Sequence, residues 1–138
     1  METLRKPLAV ILGLTALAVL VHFVLGPVYE DVIESHEVWN VLNWFMAFGV
    51  LVALIVTYLA KKEVGREDDT NSYIRVNVGF YAAAALAVVY FWNWVNELVV
   101  GGGSEGEVNG NYWVLIDVVY VILITRVSVH LWRDASSD

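Results

Sequence analysis

The sequence predicts an all-α integral membrane protein, a bundle of four transmembrane helices running up-down-up-down with both termini in the cytoplasm. Three observations predict it. Hydrophobic residues make up 59% of the chain, against roughly 45–50% in soluble globular proteins. Four apolar runs, at 8–28, 38–60, 76–100 and 112–132, each reach the ~20 residues a helix needs to cross a bilayer. All eight Lys and Arg fall on one side of those runs. At 138 residues the chain is expected to form a single domain.

The first run follows "METLRKP" and imitates a secretory signal, with "ALA" at 16–18 as a mock cleavage site. Cleavage there would leave residues 19–28, too few to span, so the helix is expected to be retained. The second run begins beside Trp39 and Trp44, and the third ends beside Trp92 and Trp94. The fourth opens on Trp113 and closes on Trp132. None of the four keeps a polar face recurring every three or four residues, as an amphipathic helix in water must. Their connections are short, which makes consecutive helices antiparallel neighbours. Ala9 and Gly13 in the first run, and Gly79, Ala83 and Ala87 in the third, would let backbones approach closely.

Charge sets the expected orientation. Arg5 and Lys6 precede the first run, Lys61, Lys62, Arg66 and Arg75 surround the second connection, and Arg126 and Arg133 close the fourth run. The other two connections carry Glu30, Asp31, Glu34, Glu37, Glu105 and Glu107 without a basic residue. The excess of positive charge on the inside of membranes then places both termini in the cytoplasm and the protein in the plasma membrane. Trp39, Trp44, Trp92, Trp94 and Trp113 form the expected outer aromatic belt, and Trp132 the inner one. Arg126 is expected to snorkel to the inner headgroups. The segment "GGGSEGEVNGN", 101–111, is expected to be a flexible outer loop.

Several functions are excluded. The chain has no cysteine, so disulfides, thiol catalysis and iron–sulfur clusters are ruled out. A net charge of -7 with no basic stripe argues against nucleic acid. No phosphate-binding glycine loop, nucleophile elbow or His-Glu-x-x-His pair is present. No catalytic residue and no cofactor is therefore indicated. His22 and His130 lie toward opposite ends of the bundle and cannot share a metal or haem.

The polar residues inside the runs are unevenly placed. Trp-Asn-x-x-Asn occurs twice, as Asn40 with Asn43 and as Asn93 with Asn96. In each pair the side chains lie about 60° apart around their helix. His22, Glu97, Asp117 and Tyr120 fall in the same outer third, whereas the inner half holds Thr57, Asn77, Thr125, Arg126, Ser128 and His130. Ionisable groups at such depth are costly unless paired or wetted. The outer set is expected to form an intramembrane cluster of His22, Asn40, Asn43, Asn93, Asn96, Glu97 and Asp117. It serves either to hold helices together or to bind a proton or cation. Asp117 and Arg126 sit on opposite sides of their helix and are not expected to pair. His22, His36 and Asp117 are the candidates for a metal ligand, and Glu30, Glu34 and Glu37 would share one helical face.

The leading expectation is a non-catalytic subunit that scaffolds or caps a larger membrane complex, plausibly respiratory or oxidative, with the bilayer and other membrane subunits as partners. Its first alternative is a small homo-oligomeric ion- or proton-coupled transporter using Asp117 and Glu97. The second is a metal or cofactor site at His22 and Asp117 completed by a partner chain.

Overall fold

The computed structural model describes residues 2–29, 35–65, 69–100 and 108–136. They form four helices: α1 (Glu2–Tyr29), α2 (Ser35–Glu63), α3 (Thr70–Val100) and α4 (Val108–Asp134). Each contains a stretch long and apolar enough to cross a membrane, and α1 and α2 supply Leu4–Tyr29 and Glu37–Glu63. The helices outrun the apolar segments that predict them, because backbone hydrogen bonding continues past the last apolar side chain. The α3 start is capped by Asp69, whose carboxylate accepts the Ser72 amide at 3.2 Å. Lys61 and Lys62 in the last turn of α2 oppose the negative end of its dipole.

Residues 108–111, expected in the outer loop, are instead the first turn of α4. A single helical glycine, here Gly110, costs only about 1 kcal/mol, too little to stop a helix propagating from a long apolar run. Residues 101–107, with Glu105 and Glu107, lie outside the described residues, as do Glu30, Asp31, Glu34 and Arg66.

The helices alternate in direction. The start of α1 meets the end of α4 where Ser128 touches Ala9. The start of α2 meets the end of α3 where Tyr90 touches Asn43, and the end of α1 meets the start of α2 at His22 and Trp39. The most extensive contacts join α1 to α4 and α2 to α3; α1–α2, α3–α4 and the diagonal α2–α4 are lesser interfaces. The bundle is thus two helix pairs meeting along a seam.

Each pair is locked by one hydroxyl. Ser128 donates to the Ala9 carbonyl at 2.7 Å, and a Cβ on Gly13 would stand 3.1 Å from the Ser128 Oγ. Small residues therefore bring α1 and α4 close enough for side chain to reach main chain. Tyr90, fully buried, donates to the Asn43 carbonyl at 2.5 Å. Ala83 and Ala87 are buried beside it on α3, while a Cβ at Gly79 would meet only ordinary contact with Thr57. Across the seam, the buried Tyr120 of α4 lays its phenol against the backbone of Gly49 on α2. Leu12, Val19, Met46, Val50, Ile116 and Ile124 complete the packed interior. The exterior is apolar all round, with Leu14, Val24, Val88 and Ile122 each at least 60% exposed.

Gly49→Ala tests the seam contact. The added methyl collides with the Tyr120 phenol, and overpacking of this kind costs about 1–3 kcal/mol, against a helix-propensity gain of at most about 1 kcal/mol. The substitution is expected to lower the thermal midpoint in detergent, and Tyr120→Phe to restore part of the loss. A raised midpoint in Gly49→Ala alone would show that the two helices are not in contact there.

Candidate functional site

At the end of the bundle where α1 and α3 finish and α2 and α4 begin, a cavity of about 390 Å³ opens in the seam. All four helices line it. α1 contributes His22, Phe23, Gly26 and Pro27, and α2 contributes Trp39 and Asn43. α3 contributes Glu97, and α4 contributes Trp113, Val114 and Asp117. The bare Cα of Gly26 and the short ring of Pro27 leave space that longer side chains would fill. Among the described residues, no Lys or Arg lines the cavity.

The polar residues here are buried. Asp117, Asn43 and His22 are each 4% exposed, and Asn93 is 5% exposed. The His22 Nδ1 shares a hydrogen bond with the Tyr29 hydroxyl, two turns further along α1. Its ring meets Trp39 edge-on at 4.6 Å between centroids. Asn43 Oδ1, Glu97 Oε2 and Asp117 Oδ1 are buried with no hydrogen-bond partner among the described residues. Asn93 Nδ2 and the Tyr120 hydroxyl share that condition. They lie about one turn deeper than Glu97 and Asp117 on their helices.

Polar side chains elsewhere in the bundle behave differently. Thr15 donates to the Ile11 carbonyl at 2.8 Å, Thr57 to Ala53 at 2.7 Å and Asn77 to Tyr73 at 2.8 Å. Each satisfies itself on its own preceding turn. The amide oxygen of Asn43 and the amide nitrogen of Asn93 are complementary, yet neither finds the other. An unmet buried polar atom costs about 1–3 kcal/mol, so the cavity concentrates a cost that the rest of the bundle avoids.

The predicted cluster divides. His22, Asn43, Glu97 and Asp117 converge on the cavity, with Asn93 buried below. Asn40 and Asn96 are exposed on the outer faces of α2 and α3. Three residues along a helix leave about 60° between side chains, enough for one asparagine of each pair to point in and the other out. The side chain of His36 lies outside the described residues.

The tryptophans divide too. Trp44, Trp92 and Trp132 are exposed, as belt residues should be. Trp94 is a core residue instead, 8% exposed, with Trp44 edge-on at 4.8 Å, Tyr90 at 5.8 Å and Phe91 at 6.2 Å. It faces inward because it lies one turn beyond Tyr90 on α3. Trp39 and Trp113 are half-buried and wall the cavity, a role their belt position in the sequence does not reveal.

His22 and Asp117 border the same cavity, but no three His, Asp or Glu side chains among the described residues come together as a metal site. A second cavity, of about 630 Å³, lies at the opposite end of the seam, between α2, α3 and α4. Arg75, Arg126 and Arg133 line it together with Glu63, and the His130 Nδ1 lies 3.3 Å from Asp134 beside them. Arg126 and Asp117 thus serve different cavities.

Structural glue and a binding site make opposite predictions for stability. Asp117→Leu and Asn93→Leu remove atoms that have no partner among the described residues, so each is expected to raise the unfolding free energy by about 1–3 kcal/mol. Thermal denaturation in detergent measures it. Loss of stability in both variants would mean that these groups hold the helices together.

The chain matches no protein-family model, no curated protein and no solved structure.

Proposed function

We propose that the protein is a small carrier of the plasma membrane, coupled to protons or cations through Asp117 and Glu97. One observation carries this reading: two cavities occupy opposite ends of the same seam. Between them the interior of the bundle is packed, with Met46 and Val50 on α2, Leu86 and Tyr90 on α3, and Tyr120 and Ile124 on α4 all buried. Rocking of the α1–α4 pair against the α2–α3 pair would widen one cavity as it narrows the other. Each pair keeps its internal hydroxyl–carbonyl bond during such a motion. The strain falls on the lesser interfaces, where Tyr120 rests on Gly49.

The basic residues favour cytoplasmic termini, so the acidic cavity opens outward and the arginine-lined one inward. Asp117 supplies the exchange site. A carboxylate with no partner in an apolar bundle is stabilised by a proton or a cation and destabilised by losing it. Four helices enclose little space, and the working unit is a homo-oligomer. Asn40 and Asn96, polar on otherwise apolar outer faces of α2 and α3, suit contact with a second copy, since such amides hydrogen-bond between helices.

The same two asparagines support a second reading, in which the chain is a non-catalytic subunit docked into a larger membrane complex. Extraction in mild detergent followed by native mass spectrometry separates the two. A homo-oligomer favours the carrier, and stable co-migration with larger partners favours the subunit.

Asp117→Asn keeps the shape of the side chain and removes its charge. In reconstituted vesicles it is expected to reduce flux at least about tenfold, the scale of one lost charge-assisted contact, with an unchanged helical circular dichroism spectrum. Wild-type flux no greater than that of empty vesicles would end the carrier reading.

A further inference from the structure

Resting on the reading of the acidic cavity as a binding site, we infer that its ligand is an organic ammonium held between Trp39, Trp113, Asp117 and Glu97. Size argues first. At about 390 Å³ the cavity falls within the ~300–1,000 Å³ of small-molecule pockets, far beyond the coordination sphere of one inorganic ion. A hard cation asks for six to eight close oxygens. Among the described residues no three metal-ligating side chains gather.

The chemistry of the lining points the same way. Two carboxylates enter the cavity and, among the described residues, no Lys or Arg does. Asn43, Glu97 and Asp117 line it, and the unpartnered buried atom of each is an oxygen acceptor, chemistry that suits an ammonium or its polarised C–H groups. Asp117 and Asn43, each 4% exposed, have little access to bulk water as a substitute for such a guest. Two indoles complete the enclosure, and indole faces are the strongest aromatic partners of a quaternary or alkylated nitrogen. Each indole has a ring neighbour. Trp39 meets His22 edge-on at 4.6 Å, and Trp113 meets Tyr90 edge-on at 6.0 Å.

A neutral ligand would make no use of the carboxylates' charge, and an anion would face them directly. A small inorganic cation would use the carboxylates but not the indoles. Only an organic cation uses both features at once.

The test places the full chain in phosphatidylglycerol nanodiscs and titrates it with tetramethylammonium, choline and tetraethylammonium. Calorimetry and tryptophan fluorescence read the binding. The control ligand is 3,3-dimethyl-1-butanol, in which carbon replaces the charged nitrogen of choline. At least one ammonium is expected to bind, with the neutral isostere at least about tenfold weaker. Asp117→Asn and Trp113→Leu should each weaken the ammonium about tenfold. Trp113→Phe should retain most of the affinity, and Trp92→Leu, on the exposed outside of α3, all of it. Failure of all three ammonium ions to bind, or equal binding of the neutral alcohol, overturns the inference without requiring any variant to fold.

Repeating the titration in phosphatidylcholine nanodiscs identifies the source of the ammonium. Unchanged affinity assigns the site to a soluble cation, and competition by the lipid assigns it to a choline headgroup. Ammonium binding with no flux in vesicles would leave this inference standing and remove the carrier. Proton or inorganic-cation flux with no ammonium binding would do the reverse.

Discussion

Two hydroxyl groups, on Tyr90 and Ser128, reach across to main-chain carbonyls on neighbouring helices, and the rest of the architecture follows from where they do so. Helices surrounded by hydrocarbon gain little by hiding apolar side chains from one another, so association relies on close contact and on hydrogen bonds between helices. The Ser128–Ala9 bond exists only because Ala9 and Gly13 let α4 approach α1. The Tyr90–Asn43 bond does the same for α3 and α2. Both acceptors are carbonyls already used within a helix, so each bond adds an interaction without breaking one. The outcome is two tight pairs rather than four equal neighbours.

A seam between two tight pairs is the natural place for space. The bundle is filled at its centre by Met46, Val50, Tyr90, Tyr120 and Ile124, and it opens toward both ends. Tyr120 joins the two pairs across this seam. Its ring packs on the one α2 residue without a side chain, Gly49, and its hydroxyl, unlike that of Tyr90, has no partner among the described residues. The amide oxygen of Asn43, on the wall of the acidic cavity, and the amide nitrogen of Asn93 below it could bind one another, yet each is without a partner among the described residues. Stability is given up there, and binding sites commonly carry such a cost.

Much of the fold was legible because all-round apolarity over ~20 residues belongs to helices that face lipid and is rare in helices that face water. The four helices, their alternation and the polar bias toward one end all rest on that pattern. Pairing was not legible. Short connections favour consecutive neighbours, but the α1–α4 interface depends on Ser128 facing Ala9 and Gly13, and one serine among apolar residues carries no signal of what it faces. The start of α4 was obscured by Gly110 and its polar neighbours, which resemble a loop in composition while costing a helix little. Asp117 and Glu97 stood out through charge alone. Trp39 and Trp113 did not, because an indole near a helix end looks the same whether it meets headgroups or a cavity.

The repeated Trp-Asn-x-x-Asn shows why the motif and the site do not coincide. Identical spacing on α2 and α3 places the asparagines alike, yet helical geometry separates the members of each pair by about 60°. Asn43 and Asn93 turn into the bundle, and Asn40 and Asn96 turn out of it. The tryptophans that open the two copies diverge as well, since Trp39 walls the cavity while Trp92 is 75% exposed. A motif repeated in sequence thus supplies two different surfaces, one facing a pocket and one facing whatever lies beside the bundle. Both surfaces carry amides in apolar surroundings, where an unmet hydrogen bond is expensive. The inward pair favours a ligand and the outward pair a protein neighbour. An oligomeric carrier needs both, and this is why the two surfaces on one chain weigh toward it over a purely structural subunit.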